Sequence, residues 1–179
     1  RQMCIRDRQK AMAELLINDS SRKGYVDGRV CRLPTISVRP GKPNAAASSF
    51  ASGMLREPLA GQASNCPVPL DTRLWLSSPG TVIANLLHAA RLEGEALGQR
   101  RTLNLPGISV RVSEMLDSLA RVGGEAALQR VSHEPDERVQ RIVCSWPGDF
   151  DITRSLELGF TADENFDAVI EAHQRDMNR

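Results

Sequence analysis

Strand-like and helix-like segments alternate along most of this 179-residue chain, and that alternation limits its fold more than any other feature. Arg29 to Ile36 mixes β-branched and apolar residues and reads as a buried strand. Pro34, with no N–H to give a ladder, marks its end. Asp71 to Leu76 alternates as a strand does, Thr102 to Leu105 is a short strand closed by Pro106-Gly107, and another falls near Leu128–Val131. Helices are predicted between and after them. The first spans 10–22, with Met12, Leu15 and Leu16 on one face, Ile17 alongside, and Gly24 ending it. The next runs from Ala45 to Leu59, bounded by Asn44 as a cap and Pro58 near its end. Ser78, with Pro79 in the first turn, starts a helix to about Leu97. Others open at Ser113, stopping near Gly123-Gly124, and at Asp136–Cys144, Thr153–Leu158 and Asp163–Met177. Strands interleaved with helices indicate an α/β fold rather than a sandwich. Three or four short strands alone would leave open sheet edges, so the rest of the sheet is expected to lie outside this sequence.

Composition narrows the function. Lys plus Arg total 23 against 22 Asp plus Glu, so no basic field argues for nucleic acid and no polybasic run for a membrane surface. The longest apolar stretch, around Val82 to Leu87, is far too short to span a bilayer. The cysteines at 4, 31, 66 and 144 have no metal-ligand spacing, and reduced, cytoplasmic thiols are the default reading. His88, His133 and His173 fall in different elements and read as surface or satisfied core residues, so no metal is expected. Met3-Cys4-Ile5-Arg6-Asp7 resembles the translation of a sequencing-library transposase adapter. Residues 1–8 are therefore expected to be a non-native leader, and 9–179 the protein proper.

The chemistry-bearing residues start at Lys10. A tyrosine can deprotonate an alcohol only if its pKa of about 10 is lowered, and a nearby ammonium does this by favouring the phenolate. A lysine one helical turn after the tyrosine lies on the same face and meets that need. Other acidic and aromatic residues have simpler readings. Asp151 caps the helix that follows it, Asp136-Glu137-Arg138 is a charged first turn, and Trp75 and Trp146 are packing anchors. Gly123-Gly124 terminates a helix rather than cradling phosphate.

A series of landmarks gives Lys10 its weight. Gln9-Lys10-Ala11-Met12 is followed by Arg32-Leu33-Pro34-Thr35, Val38-Arg39-Pro40-Gly41-Lys42-Pro43-Asn44 and Ala47-Ser48-Ser49-Phe50-Ala51-Ser52-Gly53. Thr102-Leu103-Asn104-Leu105-Pro106-Gly107 and Ser155-Leu156-Glu157-Leu158-Gly159-Phe160 come later. In this order, over residues 9 to about 177, the chain resembles the C-terminal part of extended short-chain dehydrogenase/reductases, the NAD-dependent epimerase/dehydratase family. Within it the chain is most similar to a sugar-acid-oxidising branch.

The resemblance implies the last Rossmann strands plus a substrate-binding subdomain, with NAD as cofactor. It makes Lys10 the catalytic lysine of a Tyr-x-x-x-Lys pair, which also reaches the nicotinamide ribose, and places the tyrosine at position 6, where this sequence has Arg6; it makes Leu33, Pro34 and Thr35 a wall against the nicotinamide. It makes Arg39, Ser48 and Ser49 the substrate carboxylate's partners, since an arginine fork suits a carboxylate; Lys42 is a second cation in that loop. The parent enzyme would oxidise the C2 hydroxyl of a four-carbon aldonate to the 2-oxo acid, with a small sugar acid as its partner and a homodimer as its assembly. Lacking the tyrosine and the glycine-rich nucleotide-binding turn, the chain as written is expected to be inactive. The rivals are a threonine dehydrogenase, a nucleotide-sugar epimerase, and a non-catalytic module binding a partner through the helix at 79–97.

Overall fold

The computed structural model describes residues 5–41 and 46–177. The chain opens with α1 (Ile5–Arg22), five residues earlier than the predicted start. It closes at Gly24, whose φ of 75° lets its N–H reach the Ser21 carbonyl and the Tyr25 N–H reach that of Ser20. The predicted strand from Arg29 to Ile36 divides into β1 (Val30–Arg32) and β2 (Thr35–Ile36). Leu33-Pro34 breaks the ladder, and the two pieces join different sheets.

A 3₁₀ turn at Ala47–Ser49 leads into α2 (Phe50–Leu59), and β3 (Ser64–Asn65) follows. The predicted cap Asn44 lies outside the described residues. After β4 (Arg73–Ser77) comes α3 (Pro79–Arg91), with the Ser78 hydroxyl accepting from the Thr81 N–H at 3.2 Å. The helix does not run through to Leu97 as predicted. It breaks at Leu92-Glu93 and resumes as the short α4 (Gly94–Leu97). Then β5 (Thr102–Asn104) and β6 (Ile108–Arg111) flank Gly107, where a Cβ would lie 2.7 Å from the Leu76 carbonyl oxygen. Only glycine lets β6 come this close to β4.

The next helix, α5 (Val112–Gly123), begins with Glu114 accepting from the Arg111 N–H at 2.6 Å. The segment predicted as a strand near Leu128–Val131 is instead α6 (Glu125–Leu128), and only β7 (Val131–Ser132) is extended. Three helices complete the chain: α7 (Glu137–Val143), α8 (Thr153–Glu157) and α9 (Phe166–Met177). Asp136 caps α7, and Asp151 accepts from the Thr153 N–H at the start of α8, as the sequence indicated.

The described strands form three small sheets. The central one has the order β2-β4-β6, parallel between β2 and β4 and antiparallel between β4 and β6. Parallel pairs β1-β5 and β3-β7 stand beside it. The main core lies between the central sheet and α2, α5 and α9, where Leu55, Leu76, Met115, Leu119 and Ile170 are fully enclosed. A second core packs Leu103 and Leu105 from the β5 segment against Ala89, Leu97 and Phe160. Among the described residues, no helix is long and apolar enough to cross a membrane.

Candidate active site

Two clefts hold most of the singled-out residues. The smaller, about 170 Å³, is walled by Leu33, Pro34 and Thr35 and closed by Leu74, Trp75, Trp146, Pro147 and Phe150. Its predicted residues leave the carboxyl end of β1, which pairs in parallel with β5. In open α/β sheets that end of a strand is where ligands bind. Trp75 and Phe150 pack with tilted rings, 5.8 Å between centroids. The tryptophans thus pack as expected, and they also wall this cleft.

The larger cleft, about 530 Å³, opens between the start of α2, β3 and α7. Ser49 lines it, together with Glu57, Ser64, Asn65, Asp136 and Arg138. Two atoms here are buried without a hydrogen-bond partner among the described residues, Glu57 Oε2 and Ser64 Oγ. The other Glu57 oxygen pairs with Arg56 at 2.6 Å. Unpaired buried polar groups are costly, so a ligand hydroxyl or a water reaching them would be favoured. Neither Glu57 nor Ser64 stood out in the sequence, because their neighbours come from distant segments, and Arg138 was read only as part of a charged first turn.

The other predicted site residues lie apart. Lys10 is exposed on α1, one turn beyond Arg6, and lines neither cleft. The chain's single tyrosine, Tyr25, follows the helix and is 79% exposed, so it cannot stand in for the base expected at position 6. Arg39 and Ser48 are half-buried, but only Ser49 of the three faces the larger cleft. Lys42 lies outside the described residues.

Half-buried Asp163 centres a further cluster that the sequence reading passed over. Its carboxylate accepts from Ser77 Oγ at 2.9 Å, the Ser78 N–H at 2.8 Å, Ser78 Oγ at 2.6 Å and Thr81 Oγ1 at 2.7 Å. Burial pushes this carboxyl's pKa up, but these hydrogen bonds outweigh it and hold the pKa below the usual aspartate value. It closes off the N-terminus of α3 and faces neither cleft.

No family profile matches the chain. Whole-sequence comparison finds a D-erythronate dehydrogenase of Cupriavidus necator, 56% identical over 94% of this chain and 52% of that protein. One of Haemophilus influenzae is 57% identical over 91% of this chain and 52% of its own length. The chain therefore spans about half the length of these curated relatives. Among solved structures, a nucleoside-diphosphate-sugar epimerase of Agrobacterium tumefaciens superposes with a TM-score of 0.91 at 46% identity, over 94% of this chain and 49% of that one. In sequence and fold the chain is thus similar to about half of each of these dehydrogenases and of this epimerase. L-threonine 3-dehydrogenase of Trypanosoma brucei matches at a TM-score of 0.81 and 25% identity, over 93% of this chain and 51% of the other.

Of NAD, the cofactor that the resemblance implies, the residues present would meet one end. Leu33, Pro34 and Thr35 form an apolar wall beyond a parallel strand, the surroundings a nicotinamide needs. The sequence carries no Gly-x-Gly-x-x-Gly turn for the pyrophosphate. The residues present therefore suit the nicotinamide end of the cofactor and leave its phosphates unaddressed.

Proposed function

We propose that this chain is the substrate-side part of an NAD-dependent sugar-acid dehydrogenase that oxidises the C2 hydroxyl of D-erythronate to the 2-oxo acid. The observation that carries this reading is the identity of 56% and 57%, over nearly the whole chain, to two D-erythronate dehydrogenases. NAD would supply the hydride acceptor. Leu33, Pro34 and Thr35 would exclude water beside the ring. Lys10 would hold a tyrosine base as phenolate and hydrogen-bond the ribose. Arg39, with Ser48 and Ser49, would bind the carboxylate, whose burial needs charge-assisted donors. Ser64 Oγ and Glu57 Oε2 would then meet hydroxyls of the substrate in the larger cleft.

As a 179-residue protein the chain is proposed to be inactive, because Arg6 stands where the tyrosine base belongs. General base catalysis alone is worth about 10²–10⁴-fold. Incubation with NAD and D-erythronate should give no reduced nicotinamide, whereas calorimetry should detect D-erythronate binding. Arg39→Leu should weaken that binding roughly 10- to 100-fold, the loss of one charge-assisted contact of about 1.5–3 kcal/mol. Measurable turnover would sink the inactivity, and unchanged affinity in Arg39→Leu would sink the carboxylate assignment.

A second reading, a nucleotide-sugar epimerase, is favoured by one observation. The larger cleft, at about 530 Å³, is roomy for a four-carbon acid. A nucleoside diphosphate that displaces D-erythronate, or binds where the acid does not, would favour this reading.

A further inference from the structure

Two successive turns of α2 grip the main chain at Arg39 from both sides. Ser52, 1% exposed, accepts a hydrogen bond from the Arg39 N–H at 3.1 Å and donates one to the Ile36 carbonyl at 3.3 Å. Four residues on, Arg56 donates to the Arg39 carbonyl at 2.7 Å. Its other amino group is held by Glu57, and the Arg56 side chain is only 15% exposed. Ser37 adds a fourth tie, its hydroxyl donating to the Ala51 carbonyl at 2.7 Å. The guanidinium of Arg39, by contrast, makes no hydrogen bond or ion pair among the described residues.

A largely buried guanidinium held by a carboxylate and donating to a main-chain carbonyl is a strong, directional constraint. Charge-assisted hydrogen bonds are roughly twice as strong as neutral ones. Tying both the N–H and the C=O of one residue fixes the peptide planes on either side of it. The side chain of that residue then starts from a set position and direction.

We propose that Ser52 and Arg56 are positioning residues, which hold the backbone of Arg39 so that its free guanidinium is presented to a small carboxylate ligand. This rests on the reading of Arg39 as the carboxylate partner. Neither residue touches the ligand. Their effect is to remove the cost of ordering Arg39 at binding, the general gain of preorganisation.

The test uses the whole chain, with D-erythronate as the probe. Affinity is measured by titration, and exchange of the Arg39 amide proton by NMR. Ser52→Ala removes one hydroxyl without changing shape. It should speed exchange of the Arg39 amide and weaken D-erythronate by about tenfold, in protein that remains folded. Arg56→Met should weaken binding similarly, and Arg56→Lys, which keeps a donor, should recover most of the loss. Arg39→Leu is the control. If Arg39→Leu weakens binding but folded Ser52→Ala and Arg56→Met do not, the positioning role is wrong and the carboxylate assignment stands. If unaltered chain fails to bind, or Arg39→Leu binds as well as it does, the carboxylate assignment fails and the positioning role falls with it. Equal weakening by Arg56→Met and Arg56→Lys, with the Arg39 amide as protected as before, would also overturn it.

Discussion

The side of the molecule around β2-β4-β6 and the side around α1 and β1-β5 are built on different terms. Among the described residues, the first encloses 17 in a core centred between a sheet and three helices. The second encloses five, Ala89, Leu97, Leu103, Leu105 and Phe160. On α1 the only buried residue is Ser21, while Met12, Leu15 and Leu16 are 58%, 72% and 66% exposed. What holds α1 is polar. Asn18 donates to Thr102 Oγ1 at 3.0 Å and accepts from the Arg101 N–H at 2.8 Å, Glu14 pairs with Arg32 at 2.5 Å, and Ser21 Oγ accepts from the Gly28 N–H at 3.1 Å. Hydrophobic burial scales with area removed from water, so the first side should carry most of the stability and the second little.

The largest effect that would break this contrast is in the main core. Leu55 is fully enclosed beneath α2. Leu55→Ala should cost about 2–5 kcal/mol, the lost transfer energy plus a cavity. Urea unfolding monitored by circular dichroism would show it, and a cost near zero would mean that the main core does not bear the fold.

Next in size is Asp163, which ties the segment before α9 to the start of α3. Asp163→Asn keeps the shape but loses charge-assisted acceptance from Ser77, Ser78 and Thr81, and should cost about 1.5–3 kcal/mol. The same carboxylate predicts a pH dependence. Its folded pKa lies below the unfolded value, so its contribution is fully present above about pH 4. It disappears as pH falls through the folded pKa. The acid limb of the unfolding midpoint against pH should therefore flatten in Asp163→Asn, and an unchanged limb would refute the linkage.

How the elements were legible follows from the same contrast. Caps and stops were local and readable. Ser78-Pro79 opens α3, Gly123-Gly124 closes α5, Asp136 caps α7, and Asp151 accepts from the first N–H of α8, whose cap position is Ile152. The α/β class was likewise readable from the alternation of strands and helices. Pairing was not. The run from Arg29 to Ile36 looked like one strand because apolar content does not say which neighbour each half will meet. β3 and β7 are two-residue strands whose register, Ser64 with Val131, depends on tertiary contact alone. Of the site, Ser49 was readable by resemblance and faces the larger cleft. Glu57 and Ser64 were not, and Arg138 was read only as a first-turn charge, since α2, β3 and α7 bring them together only in the folded chain.

A smaller effect sharpens the polar side of the contrast. Asn18→Ala removes the two hydrogen bonds that join α1 to the β5 segment, and should cost about 1–2 kcal/mol. The loss should be local. Amide exchange should rise along α1 while the residues around Leu119 and Ile170 stay protected, because partly independent regions open separately. Uniform loss of protection would make the two sides one cooperative unit.

The smallest expected effect decides whether the apolar face of α1 matters within this chain at all. Its period suggested a packed amphipathic face, yet Leu16 stands 66% exposed and has little area left to hide. Leu16→Ser trades that exposed side chain for a polar one, and away from a core such changes stay within about 0.5 kcal/mol. Helix propensity favours leucine over serine only slightly, so it does not alter the sign of the comparison. The unfolding midpoint should move by less than in Asn18→Ala, and the gap between them measures how far polar contacts, rather than burial, hold this helix. A loss for Leu16→Ser as large as that for Leu55→Ala would mean that Leu16 is buried in solution against something the chain supplies, and the contrast between the two sides would fail.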